Sequence, residues 1–324
     1  MGFNVLIIVS MLVAFVLTML LGVVYIEFLK KRMMTQYILE DAPEQHAKKA
    51  GTPTTGGVFI VLSVILASFT VLTMNQSLST EALIVLMVFL FYMLAGLKDD
   101  LGKIKHKENK GGLTPRNKLF FQIAISILPA VYMTLAGQTY LNIGSFSIDL
   151  HYIYPIFVIF FMTGVSNAVN LTDGLDGLAT SNVAVAMIIC TIICTISGHT
   201  DLAIISAATI GACIGFLYFN HNPAKVFMGD TGSLALGGLL SAIAITGKFE
   251  LWILLIGIIF FCETMSVIIQ VTSFKLTGKR VFKMSPIHHH FELSGWSENK
   301  IVIIFSLITL ISGTIAAAIF NFLW

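Results

Sequence analysis

Ten runs of mostly apolar residues divide this chain of 324 residues, at 3–29, 55–74, 81–97, 118–135, 153–171, 178–197, 201–218, 232–246, 250–274 and 300–322. A helix of roughly 20 apolar residues crosses the hydrocarbon core of a bilayer. Charged residues make up only 11% of the chain, against about 25% in soluble domains. The chain therefore reads as an all-α polytopic integral membrane protein of ten transmembrane helices, forming one domain over 1–324. The first run has no basic stretch before it and is long enough to span, so it reads as a span rather than a cleavable leader. Cys190, Cys194, Cys213 and Cys262 lie inside apolar runs and read as small packing residues.

The gaps between runs differ sharply in charge. Of the 19 Lys and Arg residues, 18 fall in or beside the alternate gaps 30–54, 98–117, 172–177, 219–231 and 275–299, and Lys248 alone falls in the others. Basic loops stay in the cytoplasm, so these five gaps are assigned to the cytoplasmic face and both termini to the outer face. The longest outer gap, 136–152, alternates apolar and polar residues around Gly144-Ser145 and predicts a small β-hairpin between the fourth and fifth helices.

The same five gaps hold nearly all the residues suited to chemistry. Asp99-Asp100 follows the third run. Two adjacent carboxylates at a membrane surface call for a positive partner, such as a divalent cation shared with a phosphate. One of them as a general base and a plain solvated helix end are the alternatives. Asn170-Leu-Thr-Asp-Gly-Leu-Asp-Gly177 closes the fifth run. Its glycines permit a tight turn and close approach to a ligand, and its carboxylates suit ribose, base or cation; a plain turn is the alternative. Gly229-Asp-Thr-Gly-Ser233 opens the eighth run, where a helix N-terminus attracts anions; Phe227 just before it could stack on a base.

In Pro286-Ile-His-His-His-Phe-Glu292 three histidines can bind metal, hydrogen-bond a phosphate or move a proton, and donation to a pyrophosphate is the preferred reading. The stretch from Lys49 through Gly51-Thr-Pro-Thr54 is basic and turn-rich, which suits phosphate contact, with a juxtamembrane basic loop as the default reading. Segment 275–283 reads as a basic helix end at the headgroups. Glu263 sits inside the ninth run. Intramembrane carboxylates are functional suspects, and pairing and function stand equally open for it.

Taken together, these motifs resemble the polyprenyl-phosphate N-acetylhexosamine-1-phosphate transferase superfamily, over nearly the whole span from Lys49 to Glu292. The superfamily signals are Asp99-Asp100, the 170–177 motif and Gly229-Asp230-Thr-Gly-Ser. His288-His-His-Phe-Glu292 and Gly51-Thr-Pro-Thr54 are similar to the bacterial branch whose donor is UDP-N-acetylmuramoyl-pentapeptide. Thr55, Leu101 and Ser285 depart from the usual pattern without removing a polar group.

The resemblance implies transfer of the phospho-sugar to undecaprenyl phosphate in cell-wall synthesis, with UMP released. It implies a Mg²⁺-dependent dimer in the bacterial plasma membrane, with a cytoplasmic cleft and no nucleic-acid partner. By motif position it implies Asp230 as Mg²⁺ ligand with Asn170, and with Asp99 and Asp100 as further candidates. Asp99 would activate the lipid phosphate, assisted by Asp100, and His289 with His288 and His290 would contact phosphate. Lys49, Thr54, Asp173, Gly174, Leu175, Asp176, Asn220 and Phe227 would bind the donor, and Lys103 and Lys110 its phosphates. A transferase using UDP-N-acetylglucosamine is the alternative enzyme. An ion-coupled transporter is the alternative of another class; it predicts charges at the bilayer midplane and internal repeats.

Overall fold

The computed structural model describes residues 3–35, 51–106, 108, 111–144 and 146–323. Twelve α-helices appear among them: α1 (Phe3–Lys31), α2 (Gly57–Met74), α3 (Thr80–His106), α4 (Pro115–Leu135), α5 (Tyr154–Thr172), α6 (Leu178–Ile196), α7 (Thr200–Asn220), α8 (Gly229–Thr246), α9 (Ile253–Ile256), α10 (Ile258–Thr277), α11 (Ile287–Glu292) and α12 (Glu298–Leu323). Nine of these are long and apolar enough to cross a membrane by length and composition. A bilayer offers no hydrogen bonds to an open backbone, so a multi-pass helical membrane protein follows.

Outside those nine stand the short α9 and α11 and, at full length, α8, whose first turn is Gly-Asp-Thr-Gly-Ser. It is also the most enclosed, with every residue from Thr231 to Thr246 buried. It packs along α3 and α5 and touches α2. Lipid is as apolar as leucine, so small residues that let backbones approach drive such packing. At Gly96 of α3, a β-carbon would collide with the Asp230 carbonyl of α8. Ser166 of α5 donates to the Leu234 carbonyl of α8 at 3.1 Å. By contrast α1, α4, α5 and α12 expose long apolar faces, Leu20, Phe120, Phe160 and Ile311 among them.

The hairpin forms as expected. Strands β1 (Tyr140–Ile143) and β2 (Phe146–Asp149) pair antiparallel, Tyr140 opposite Asp149 and Ile143 opposite Phe146. Cys190, Cys194 and Cys213 are buried free thiols, whereas Cys262 is exposed.

Several boundaries differ from the expected runs. The third run extends to His106, so Asp99 and Asp100 lie inside α3 rather than at its end. Lys103 follows one turn later and pairs with Asp99, and the basic residues of the last turn suit the helix dipole. The ninth run is not one helix: α9 stops at Gly257, which leaves helical geometry (φ −110°, ψ 34°), and α10 carries on to Thr277. Glycine's weak helix preference permits the break. The histidine segment forms the short helix α11 rather than an open loop.

Candidate functional site

α3, α4, α5 and α8 converge on Asp99, Asp100 and Asp230. One carboxylate oxygen from each lies within 4.8 Å of the others, and among the described residues this is the one such group of three metal-ligating side chains. Asp99 and Asp100 are only 1% and 3% exposed. Charges are rarely buried unless paired, and the partners can be assigned oxygen by oxygen.

Asp100 serves the backbone of α8. Its Oδ1 accepts from the Asp230 N–H at 3.2 Å, and its Oδ2 from the Thr231 N–H at 2.9 Å and the Thr231 hydroxyl at 2.6 Å. A carboxylate from a neighbouring helix thus satisfies the first N–H groups of α8, where the dipole favours negative charge. Gly229 makes this possible: its φ is 71°, and a β-carbon there would strike Asp100 Oδ2.

Asp99 Oδ1 accepts from the Leu113 N–H at 2.7 Å, which fixes the entry to α4. Thr114 then caps α4, accepting from the Asn117 N–H. Asp230 Oδ1 accepts from Asn170 Nδ2 at 2.8 Å, and the same amide reaches Ser233 Oγ at 2.8 Å.

Asp99 Oδ2 and Asp230 Oδ2 remain, and two lysines hold them. Lys103 Nζ lies 2.6 Å from Asp99 Oδ2, 3.0 Å from Asp230 Oδ2 and 3.8 Å from Asp100 Oδ1. Lys118 Nζ, from the first turn of α4, lies 2.5 Å from Asp230 Oδ2 and 3.6 Å from Asp99 Oδ2. Lys118 belongs to none of the motifs that mark the other site residues. A signal was present: a lysine in the first turn of a helix opposes the dipole, so something else must favour it there.

The motif at 170–177 turns back over this cluster. Asp176 Oδ2 accepts from Asn222 Nδ2 at 3.2 Å and the Ala224 N–H at 3.0 Å. Asn220 is buried; its Oδ1 accepts from the Gly177 N–H and the Thr180 hydroxyl, and its Nδ2 donates to the Val226 carbonyl. These bonds tie the 172–177 turn to the 221–228 loop. Leu175 is buried and Asp173 half-buried. Enclosure, then the nearby carboxylates of Asp230, Asp100 and Asp176, push the Asp173 carboxyl up to about 8. Phe227 is half-buried, and its N–H donates to the Pro53 carbonyl at 2.8 Å. Thr54 is buried beside Gly229. Lys49 and Lys110 lie outside the described residues.

The histidines of α11 approach from the other side. His288 is fully buried, and its ring Nδ1 lies 3.1 Å from Glu263 Oε1. Glu263 therefore has the partner that its sequence left unnamed. His288 Nε2 faces Gly174, where a β-carbon would collide with it. His289 Nδ1 pairs with Glu292 Oε2 at 2.9 Å, and His290 Nδ1 accepts from the Lys283 N–H at 3.1 Å. The site thus joins two parts: a carboxylate–lysine cluster at the foot of α8, and the 172–177 turn packed on His288.

The donors fit a hard divalent cation. Asp99 Oδ2 and Asp230 Oδ2 are carboxylate oxygens not used by the backbone, converging from two helices, and Mg²⁺ takes one or two carboxylates plus phosphate oxygens.

Residues 82–248 match the family model described as glycosyl transferase family 4. The chain is 45% identical to the phospho-N-acetylmuramoyl-pentapeptide-transferase of Geobacillus kaustophilus over 302 residues, covering 92% of this chain and 93% of that one. It is 45% identical to the enzyme of that name from Halalkalibacterium halodurans, over 95% of both chains. The Bacillus subtilis enzyme of that name is 47% identical over 91% of this chain and 92% of its own. The family model stops before α11, whereas these relatives extend over most of the chain.

Proposed function

The chain belongs to the phospho-N-acetylmuramoyl-pentapeptide-transferase family, and we propose that it transfers phospho-N-acetylmuramoyl-pentapeptide from its UDP donor to undecaprenyl phosphate. The products are the lipid-linked intermediate and UMP, on the route to peptidoglycan. The relatives' shared name supports the reaction. The observation within the fold that carries it is the meeting of Asp99, Asp100 and Asp230 near the turn of Asp173 and Gly174, which packs on His288.

A phosphate attacking a pyrophosphate faces the repulsion of two anions, so catalysis rests on position and charge neutralisation. Asp99 Oδ2 and Asp230 Oδ2 would hold Mg²⁺, which would supply neutralising charge at the diphosphate. Asn170 orients Asp230 through its amide. Asp100 fixes the foot of α8, so its part in the reaction is to place Asp230. Lys103 stays in the cluster, and its positive charge favours the ionised lipid phosphate. Asp173, Gly174, Leu175, Asp176 and Phe227 form the nucleoside recess, with Thr54 at its edge. Asn220 holds that recess in shape. His288, His289 and His290 line its phosphate side.

The alternation of basic gaps supports a cytoplasmic site in the bacterial plasma membrane, with α8 as a tenth span, both termini outside and the chain acting as a single domain. Pairing of two copies through the exposed apolar helix faces completes the reading.

The test is UMP release by the purified protein with undecaprenyl phosphate and Mg²⁺, comparing the muramoyl-pentapeptide donor with UDP-N-acetylglucosamine. Metal-dependent release with the muramoyl donor alone is the expected result. Release with the glucosamine donor alone would overturn the donor assignment, and release with neither would return the transporter to consideration.

A further inference from the structure

Asp230 Oδ2 carries two ammonium groups at once. Lys118 stands 2.5 Å from it and Lys103 3.0 Å. The other Asp230 oxygen accepts from Asn170, Asp99 Oδ1 accepts from Leu113, and both Asp100 oxygens accept from α8. The two oxygens left for a cation, Asp99 Oδ2 and Asp230 Oδ2, are the two the lysines occupy.

A bound Mg²⁺ sits about 2.0–2.1 Å from each ligand oxygen. It cannot share Asp230 Oδ2 with an ammonium already at hydrogen-bond distance without severe like-charge repulsion. Both ammoniums must come off that oxygen, yet only one has to leave the cluster, and the geometry identifies which. Lys103 is on the same helix as Asp99 and reaches all three carboxylates. Lys118 reaches across from α4 to Asp99 Oδ2 and Asp230 Oδ2, the two oxygens a cation would take, whereas Lys103 also has Asp100 Oδ1 at 3.8 Å and can stay in the cluster.

We propose that Lys118 and the divalent cation compete for Asp230 Oδ2, and that Lys118, once displaced, turns to the phosphates of the incoming donor. The exchange keeps the cluster charge-compensated throughout. It couples cation entry to donor capture, because the freed ammonium gains a new anion only when the diphosphate arrives. This rests on the reading of Asp99 and Asp230 as the cation's ligands.

Three measurements on the full-length protein in detergent test it, with Mn²⁺ as the probe. First, Mn²⁺ binding without substrate, followed by loss of the free-ion paramagnetic resonance signal, should tighten about tenfold in Lys118→Gln, the scale of removing one charged neighbour from a carboxylate. Unchanged or weaker binding by a folded variant would overturn the competition. Second, acetylation of Lys118 in the parent protein, read by mass spectrometry, should rise when Mn²⁺ is added and fall again when the nucleotide donor follows. This needs no variant, and it separates displacement from simple repulsion, which leaves Lys118 in place. Unaltered labelling would overturn the movement. Third, the KM for the donor should rise in Lys118→Gln by more than kcat falls; the reverse pattern would overturn donor capture. Failure of the parent protein to bind Mn²⁺ at all is a distinct outcome, and it would remove the cation reading together with this one.

Discussion

Each end of α8 carries a buried charge cluster, and the two are built on opposite principles. At the far end, Lys248 is only 5% exposed and donates to Glu250 Oε1 at 3.1 Å, the Tyr154 hydroxyl at 2.8 Å and the Gln138 carbonyl at 3.1 Å. All three ammonium protons are used, the rings of Tyr140 and Tyr154 flank the charge, and one cation meets one carboxylate. Tyr154 in turn donates to Glu250 at 2.8 Å. Burial still pulls Lys248 below the usual lysine range and pushes Glu250 above the usual carboxylate range. The arrangement clamps the hairpin and α5 against the end of α8. At the near end three carboxylates face two ammoniums, and two lysines share one oxygen. A one-to-one pair whose ammonium is fully used resists change, whereas an unbalanced cluster is poised to exchange partners. A buried charge group built for binding is recognised here by that imbalance rather than by burial, which both clusters share.

The comparison breaks most visibly on Asp230. Asp230→Ala should abolish turnover, a loss of at least about a thousandfold on the scale of removing a charge-stabilising group. The unfolding temperature should stay within a few degrees of the parent, because the cost of burying the extra carboxylate is relieved. A variant with near-normal UMP release would make the near cluster as structural as the far one.

Lys248→Met should do the opposite. Removing one partner of a buried pair strands the other, at a cost of about 3–5 kcal/mol. Activity per folded molecule should persist, since Lys248 lies beyond the other end of α8. The double variant Lys248→Met/Glu250→Leu should recover most of the lost stability, because apolar replacements for both partners are often neutral. Thermal unfolding in detergent reads all three proteins, and a double variant as unstable as the single would refute the pair as the source of the loss.

A smaller, pH-dependent effect sharpens the near end. Asp173 has its carboxyl raised to about 8 in the folded protein from about 3.9 unfolded. Below about pH 4 both states hold the proton and Asp173 makes no difference. Between about 4 and 8 the unfolded chain ionises while the folded one does not, so stability falls with rising pH until the folded group also ionises. Asp173→Asn should therefore unfold at the same temperature as the parent near pH 4 and at a higher one near pH 8. A gap independent of pH would assign the effect to packing.

Parts of this site were legible in the chain because their signals are local. Asp99-Asp100, the 170–177 turn, Asp230 and the three histidines are short motifs, and the alternation of charged gaps sets them on one side. The break at Gly257 was not legible, because one glycine in an apolar run is compatible with a continuous helix. Nor was the division of labour between Asp99 and Asp100. Adjacent in sequence, they point their oxygens at different partners, one at the entry to α4 and the other at the first turn of α8.

The sequence by itself determined the membrane class, the positions of most spans, the hairpin and the residue types of the site. Hydropathy over some 20 residues and turn chemistry over four act within a stretch of chain, whatever it later packs against. Only the tertiary structure decided that Lys118 reaches Asp230 across 112 positions, that Asp100 caps another helix, and that Glu263 holds His288. Those pairings depend on how closely helices approach and how they are rotated. Both are set by small residues such as Gly96 and Gly229 at contacts that exist only once the bundle has assembled.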